Sequence, residues 1–211
     1  MLTLDHLTIV APTLREGVHH VRECLDIDVP FGTRHLYMGT HNHRLQLGGG
    51  VYLEIVARDP EGVDPGRPRW FGVDYPQQLR ADWDEGRRLR GWVAATKDIE
   101  NLVRQRPEFG EVVSLPFDTP EFAFGVPADG SLPEGGALPS LIDHRNDPTK
   151  MSDIPNLGAR LVAFTLQHPS PEQLQATYRE LQIDRPPSVE PGPGLRYEAA
   201  IETPTGLRLL T

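Results

Sequence analysis

Two segments of the chain, 85 positions apart, share one pattern in which an alternating strand leads directly into a helix. The first strand covers residues 4–11 and the second covers residues 89–95. The offset of 85, taken from 91 − 6, aligns His6 with Gly91 and also aligns the apolar stripes of the two helices. The repeat indicates two copies of one strand-helix unit. The first strand carries the imidazole of His6 at its middle, where the second strand has Gly91 and no side chain.

Three strand candidates follow each of these helices, so that each copy has the order β-α-β-β-β. Period-two alternation and turn residues mark their bounds. The candidates lie at 34–38, 43–47 and 51–57 in the first copy and at 111–115, 121–126 and 138–142 in the second. A third unit has a strand at 161–166, a helix capped by Ser170, and a hairpin with strands at 195–202 and 207–210.

We therefore predict an α+β fold of tandem β-α-β-β-β modules with a C-terminal β-α-β-β extension. The first module spans residues 1–58, the second 88–145 and the extension 146–211. Residues 59–87 form a connector that is rich in proline, glycine and charge, yet it carries Trp70 and three further large aromatic residues. Because a solvated linker rarely has so many aromatic side chains, we expect the connector to pack against the folded modules.

The charge and cysteine content narrow the class of protein. The net charge is −9 and the isoelectric point is about 5.3, which disfavours nucleic acid and anionic membrane surfaces as partners. Cys24 is the single cysteine, so an internal disulfide is excluded. The sequence has no long apolar run, and we expect neither a signal peptide nor a transmembrane span. These features indicate a soluble cytoplasmic protein.

Three short segments carry a resemblance to a known family. They are residues 38–42 (MGTHN), 52–60 (YLEIVARDP) and 68–72 (PRWFG). Together with the β-α-β-β-β modules, they resemble the bacterial glyoxalase-like branch of the vicinal oxygen chelate superfamily. The resemblance implies that the paired modules roll into a cupped mixed sheet, with the helices packed outside and a small-molecule site in the cup.

His6 and Glu54 are the principal site candidates. By strand alternation, His6 faces away from Leu7, and Glu54 faces away from its apolar neighbour Leu53, so both side chains point to the same side of the sheet. Imidazole and carboxylate suit a divalent metal such as Zn, Ni, Fe or Mn, and Glu54 is also the candidate catalytic base. The alternative is a buried His–Glu pair whose members satisfy each other's hydrogen bonds. The resemblance implies four ligands, and Gly91 stands where the second module would supply one.

The strands between these two residues contain further polar candidates. His41 and His43 have the parity of the apolar residues that follow them, which aims Asn42 and Arg44 into the cup. A bulge at the start of this strand would reverse that assignment. We therefore keep both His41 and Asn42 as candidate substrate-binding residues, and we leave open which of His35, His41 and His43 faces the cup.

Arg69 and Trp70 in the connector are the remaining candidates for substrate binding. A guanidinium would hold a carboxylate, and an indole would stack on a ring. The alternative is that this segment folds onto the outside of the domain.

Two functions fit this site. The first is a metal-dependent lyase or isomerase of the glyoxalase kind, which polarises vicinal oxygens of a small substrate. The second is a metal-free protein of the same fold that binds or sequesters a small molecule. The expected partner is a small-molecule ligand, with a homodimer as an open alternative.

Overall fold

Both predicted modules are present as a strand, a helix and three further strands in the computed structural model, which describes residues 1–118, 121–145 and 153–211. The first module contains β1 (Leu2–Val10), α1 (Leu14–Leu25), β2 (Phe31–His35), β3 (Thr40–Gln46) and β4 (Tyr52–Arg58). In the connector, a 3-10 turn (Trp70–Gly72) precedes α2 (Pro76–Asp84). The second module contains β5 (Leu89–Ala95), α3 (Ile99–Gln105), β6 (Glu111–Leu115), β7 (Phe122–Val126) and β8 (Ser140–Asp143). The predicted α+β class is confirmed.

The C-terminal unit has more strands than the sequence predicts. It contains β9 (Arg160–His168), α4 (Pro171–Glu180), β10 (Ile183–Asp184), β11 (Ser188–Pro191), β12 (Arg196–Thr203) and β13 (Gly206–Leu210). The two additional strands, β10 and β11, lie in a proline-rich stretch. Proline is found in strands chiefly at edges, and β11 is an edge strand. This is why the local sequence does not indicate strands there.

The modules share one curled sheet, and the C-terminal unit forms a second. The strand order in the first sheet is β2-β3-β4-β1-β5-β8-β7-β6, with β10 paired in parallel to the start of β1. The second sheet has the order β11-β9-β12-β13. Two tyrosine hydroxyls join the units, since Tyr178 donates to Ala137 O at 2.6 Å and Tyr197 donates to Gly136 O at 2.7 Å.

The two modules meet at an antiparallel pairing of β1 with β5. His6 pairs with Val93, Leu7 with Trp92 and Thr8 with Gly91. The offset of 85 maps 6 onto 91, 7 onto 92 and 8 onto 93, so a twofold axis through the Leu7–Trp92 pair exchanges the two strands. The repeat seen in the sequence is therefore a repeat in the structure, and its axis lies between the two central strands.

A β-bulge interrupts β1 immediately before His6. Leu4 pairs with Ala94 and His6 pairs with Val93, so Asp5 is an extra residue without its own partner on β5. The bulge changes the parity of the strand, and Leu4 is buried in the same apolar core as Leu7. A regular strand would place Leu4 on the face of His6, and the bulge moves it to the opposite face.

The larger apolar core lies between the convex face of the first sheet on one side and α1, α4 and the second sheet on the other. Thr13 caps α1 by accepting a hydrogen bond from Glu16 N at 3.3 Å. The helix sits close to the sheet because Gly17 has no side chain: a Cβ there would lie 2.6 Å from Ile55 Cγ2. This packing turns the concave face, which carries His6, away from the helices.

Candidate functional site

A cavity of about 280 Å³ opens on the concave face of the first module. Residues of β1 to β4 form one side, and residues of the 3-10 turn, β7 and β8 form the other. We call this space the cup cavity. His6, Asn42, Glu54 and Trp70 all line it, and the structure thus brings four of the predicted site residues together.

The bulge in β1 places two neighbouring side chains on one side of the strand. Asp5 Oδ1 accepts a hydrogen bond from His6 Nδ1 at 2.6 Å, and Asp5 Oδ2 accepts one from His144 Nε2 at 2.6 Å. Asp5 and His6 are both buried. The Nε2 atom of His6 then points towards Glu54, whose Oε2 lies 3.5 Å away. Among the described residues this nitrogen has no hydrogen-bond partner of good geometry.

Asn42 fixes the other oxygen of Glu54. Its Nδ2 donates to Glu54 Oε1 at 2.7 Å and lies 3.4 Å from His35 Nε2, while its Oδ1 accepts from the backbone N of Thr33 at 2.8 Å. Because the amide nitrogen can only donate, His35 Nε2 must accept, and His35 Nδ1 carries the proton that it shares with Thr40 Oγ1 at 3.0 Å. These hydrogen bonds therefore require His35 to be neutral, with its proton on Nδ1.

The pKa values of the two buried histidines, His6 and His35, shift in opposite directions. Burial alone would lower the pKa of His6, but hydrogen bonds and charges from Asp5 and Glu54 outweigh it and raise the pKa to about 9. Burial lowers the pKa of His35 to about 4. For Asp5 and Glu54, burial would raise the pKa, yet the partner histidines hold the pKa of both carboxyls below the usual value. At neutral pH the cup cavity thus contains an imidazolium between two carboxylates.

An aromatic wall faces these polar groups. Trp70 contacts Phe124 with ring centroids 5.2 Å apart, and it meets His35 edge-on at 5.1 Å. Tyr37 and Phe122 are also in ring contact, at 6.3 Å. The opposite polar side has its own stacked pair, His6 on Tyr52 at 4.4 Å. A ligand in this space would meet hydrogen-bonding groups on one side and ring faces and edges on the other.

Two predicted substrate-binding residues lie elsewhere. His41 is on the opposite face of β3 from Asn42, and its Nδ1 lies 3.9 Å from Asp59 Oδ1. Arg69 is buried and ion-paired to Asp74 at 2.8 Å. His43, the third histidine of this region, bonds to the backbone O of Val29 at 2.6 Å. The placement does not support His41 and Arg69 as contacts of a ligand in the cup cavity.

The register of the sheet locates the positions that correspond to the predicted metal ligands. Glu54 pairs with Thr8, Thr8 corresponds to Val93 because 8 + 85 = 93, and Val93 pairs with Ser140. The counterpart of Glu54 in the second module is therefore Ser140. The counterpart of His6 is Gly91, as the sequence indicates.

The donors that converge in the cup cavity do not fit a resident metal. His6 and Glu54 supply one nitrogen and one oxygen, whereas catalytic zinc commonly has three protein ligands. Within the described ranges there is no group of three or more His, Cys, Asp or Glu residues arranged to hold an ion. A Cβ at position 91 would lie 3.2 Å from Leu132 Cδ2, so a leucine occupies the space of the missing ligand.

Sequence reasoning missed Asp5 and His144. Regular alternation points Asp5 away from the cup, and His144 follows a strand whose end carries no recognisable ligand spacing. One signal for the bulge does exist: Leu2 and Leu4 are two residues apart, as are Leu7 and Ile9, but Leu4 and Leu7 are three apart. That shift in apolar parity marks the inserted residue.

The paired modules and the cup cavity match the fold expected from the glyoxalase-like resemblance. Residues 4–182 match the family described as glyoxalase-like domain. This match covers most of the chain, and the chain belongs to that family. The predicted resemblance is confirmed, and the same family match accounts for the paired modules around the cup.

Comparison with one solved structure supports the fold. A hypothetical protein from Staphylococcus aureus superposes with a TM-score of 0.59 at 13% identity, covering 96% of this chain and 92% of that one. A variant of methylmalonyl-CoA epimerase from Streptomyces coelicolor, in complex with 2-nitronate-propionyl-CoA, has a TM-score of 0.37 at 18% identity, covering 68% of this chain and 95% of that one. The search of curated proteins gave no match. Among the described residues, the helices are too short or too polar to cross a membrane.

Proposed function

We propose that the cup cavity binds a small oxygen-bearing organic molecule and that Glu54 and His6 move a proton on it without a resident metal. The observation that carries this proposal is the placement of a buried carboxylate oxygen 3.5 Å from a buried imidazolium nitrogen, both facing the same cavity. A base and an acid at this separation can act on adjacent atoms of one substrate.

Each partner has a defined role in this chemistry. Glu54 Oε2 takes a proton from a carbon next to a carbonyl, and the N–H at His6 Nε2 donates a hydrogen bond to the oxygen on which the negative charge develops. The protonated Glu54 then returns the proton to the same or a neighbouring carbon, so that the reaction is an isomerisation. Asp5 holds the imidazolium in place and keeps it charged.

Solvent exchange tests this directly. The protein is incubated in D₂O with a panel of small 2-oxo acids and ketones, and loss of the α-proton signal is followed by NMR. We expect exchange with the wild type and a decrease of about 100-fold or more in Glu54→Gln. Glu111→Gln, which changes an exposed carboxylate on β6, is the matched control and should retain the wild-type rate. Equal rates in wild type and Glu54→Gln would contradict the proposal.

Metal-free binding or sequestration is the second candidate. It is favoured by the way in which Asn42 and His6 already engage both oxygens of Glu54, an arrangement typical of a structural network. The same panel separates the two functions, because a binding protein would shift NMR signals of the ligand without exchanging its protons.

A further inference from the structure

Arg44 is a charged residue in the wall of the cup cavity that the proposed proton transfer does not use. It lies on β3 directly opposite Glu54 on β4, so both side chains are on the concave face. Its Nε atom is buried and has no hydrogen-bond partner among the described residues. A guanidinium that is desolvated in this way gains strongly from an anionic partner.

Two arginines that are buried as whole residues have such a partner. Arg69 reaches Asp74 at 2.8 Å, and Arg90 reaches Asp82 at 2.5 Å. The carboxylate directly opposite Arg44 on the neighbouring strand is that of Glu54, and its two oxygens face Asn42 and His6 instead. Within the described ranges, no ion pair within 4 Å involves Arg44.

The neighbouring strand makes room for this arrangement. Gly32 on β2 packs beside Asn42 and Arg44, and a Cβ at position 32 would overlap Asn42 Oδ1 and lie 2.9 Å from Arg44 Nε. The backbone of Gly32 is not in the left-handed region, so the glycine is explained by space and not by its φ angle. Its effect is to let the Arg44 side chain pack close to β2 at the cavity wall.

We propose that Arg44 binds a carboxylate group of the ligand, and that the rest of this ligand is an aromatic or similarly apolar body packed on Trp70 and Phe124. The inference rests on the proposed function only in that the same cavity holds the ligand. The planar fork of a guanidinium matches a carboxylate with two parallel hydrogen bonds. A single charge is favoured over a phosphate dianion because Glu54 lies opposite Arg44, and Glu121 and Asp153 also line the cavity.

Matched pairs of aromatic acids and amides test the assignment. Benzoate, phenylacetate and 3-phenylpropanoate are compared with benzamide, phenylacetamide and 3-phenylpropanamide by calorimetry and ligand-observed NMR. We expect at least one acid to bind tenfold or more tightly than its amide, and we expect Arg44→Gln to abolish the preference. Arg58→Gln, at the exposed end of β4, is the matched control and should preserve it.

Several results would overturn the inference. These are equal binding of acids and amides, absence of acid binding up to about 10 mM, retention of the preference in Arg44→Gln, and tighter binding of phenyl phosphate than of every acid. If Arg44→Gln fails to fold, Arg44→Lys serves as the second variant, because it keeps the charge but loses the planar fork and should weaken acid binding.

Glu54→Gln separates this inference from the proposed reaction. The variant should stop proton exchange, but it should bind the acids at least as tightly as the wild type, since a negative charge opposite Arg44 is removed. Acid preference without exchange in the wild type would refute the proton transfer and leave the carboxylate site standing. Exchange on uncharged ketones without a preference for acids would refute the carboxylate site and leave the proton transfer standing.

Discussion

The protonation of His6 makes a prediction about stability that can be worked out in full. Below pH 6.5 this histidine is protonated in both the folded and the unfolded chain. Between pH 6.5 and about 9 the unfolded chain releases the proton while the folded protein keeps it. The folded state then binds more protons than the unfolded state, so the free energy of unfolding falls as the pH rises through this window.

The size of the effect follows from the difference in pKa. A rise from 6.5 to about 9 is about 2.5 units, and at 1.36 kcal/mol per unit it corresponds to about 3 kcal/mol. Asp5 and Glu54 contribute in the opposite pH range: their lowered pKa values stabilise the protein above about pH 4, and this stabilisation is lost in acid. The lowered pKa of His35 also removes stability as the pH falls from 6.5 towards 4, so the free energy of unfolding should be greatest near pH 6.5.

Urea unfolding followed by circular dichroism between pH 5 and 10 measures this profile. The wild type should lose about 3 kcal/mol between pH 6.5 and 9.5 from this group, and His6→Gln should lack that slope. His19→Gln, which changes an exposed histidine on α1, should keep it. A wild-type profile parallel to that of His6→Gln, or an NMR titration of His6 with a midpoint near 6.5, would refute the reasoning.

Three further predictions concern the Asp5–His6–Glu54 network, the metal content of the protein, and the hydrogen bond by which Tyr178 connects the C-terminal unit to the second module. Asp5→Asn should lower the pKa of His6 by more than one unit in an NMR titration and cost about 3 kcal/mol in urea unfolding at pH 7; an unchanged titration would show that Asp5 does not hold the proton. Protein purified without chelators should contain far less than one equivalent of divalent metal by mass spectrometry, because Gly91 stands at one expected ligand position and Leu132 lies where its side chain would be; a stoichiometric metal that is lost in His6→Gln would contradict this. Tyr178→Phe removes a hydrogen bond to a buried carbonyl and should destabilise the protein by about 1 to 2 kcal/mol, and an unchanged unfolding midpoint would argue against that joint.

Much of the fold could be predicted because it depends on periodic patterns. The alternation in β1 and β5, the capped helix after each of them and the offset of 85 are local properties of the sequence. The pairing of β10 with β1 could not be predicted in this way. It joins two residues of a proline-rich stretch to the start of the chain, and nothing in either short segment specifies the other.

Some residues of the candidate site could likewise be predicted from the sequence, and others could not. The shared face of His6 and Glu54 follows from strand parity, and parity also places Asn42 and Arg44 on the cup side. The role of Asp5 depends on a bulge that reverses parity at one position. The two carboxylate oxygens of Asp5 therefore hold a neighbour in sequence and a residue 139 positions away, a relation that strand patterns do not contain.

The pairing of Leu2 with Ile183 has a consequence for how the chain folds. β1 is synthesised before the other strands of this fold, and it lies at the centre of the larger sheet. It is completed by β5 and then by β10, whose Ile183 lies 181 residues after its partner Leu2. Such contacts close large loops. The chain entropy lost on closing these loops must be offset before the contacts stabilise the fold. On the ribosome, β1 would remain an apolar strand with an open edge until much later segments emerge. We expect folding to be slow for a protein of this length and the nascent chain to depend on protection of that strand.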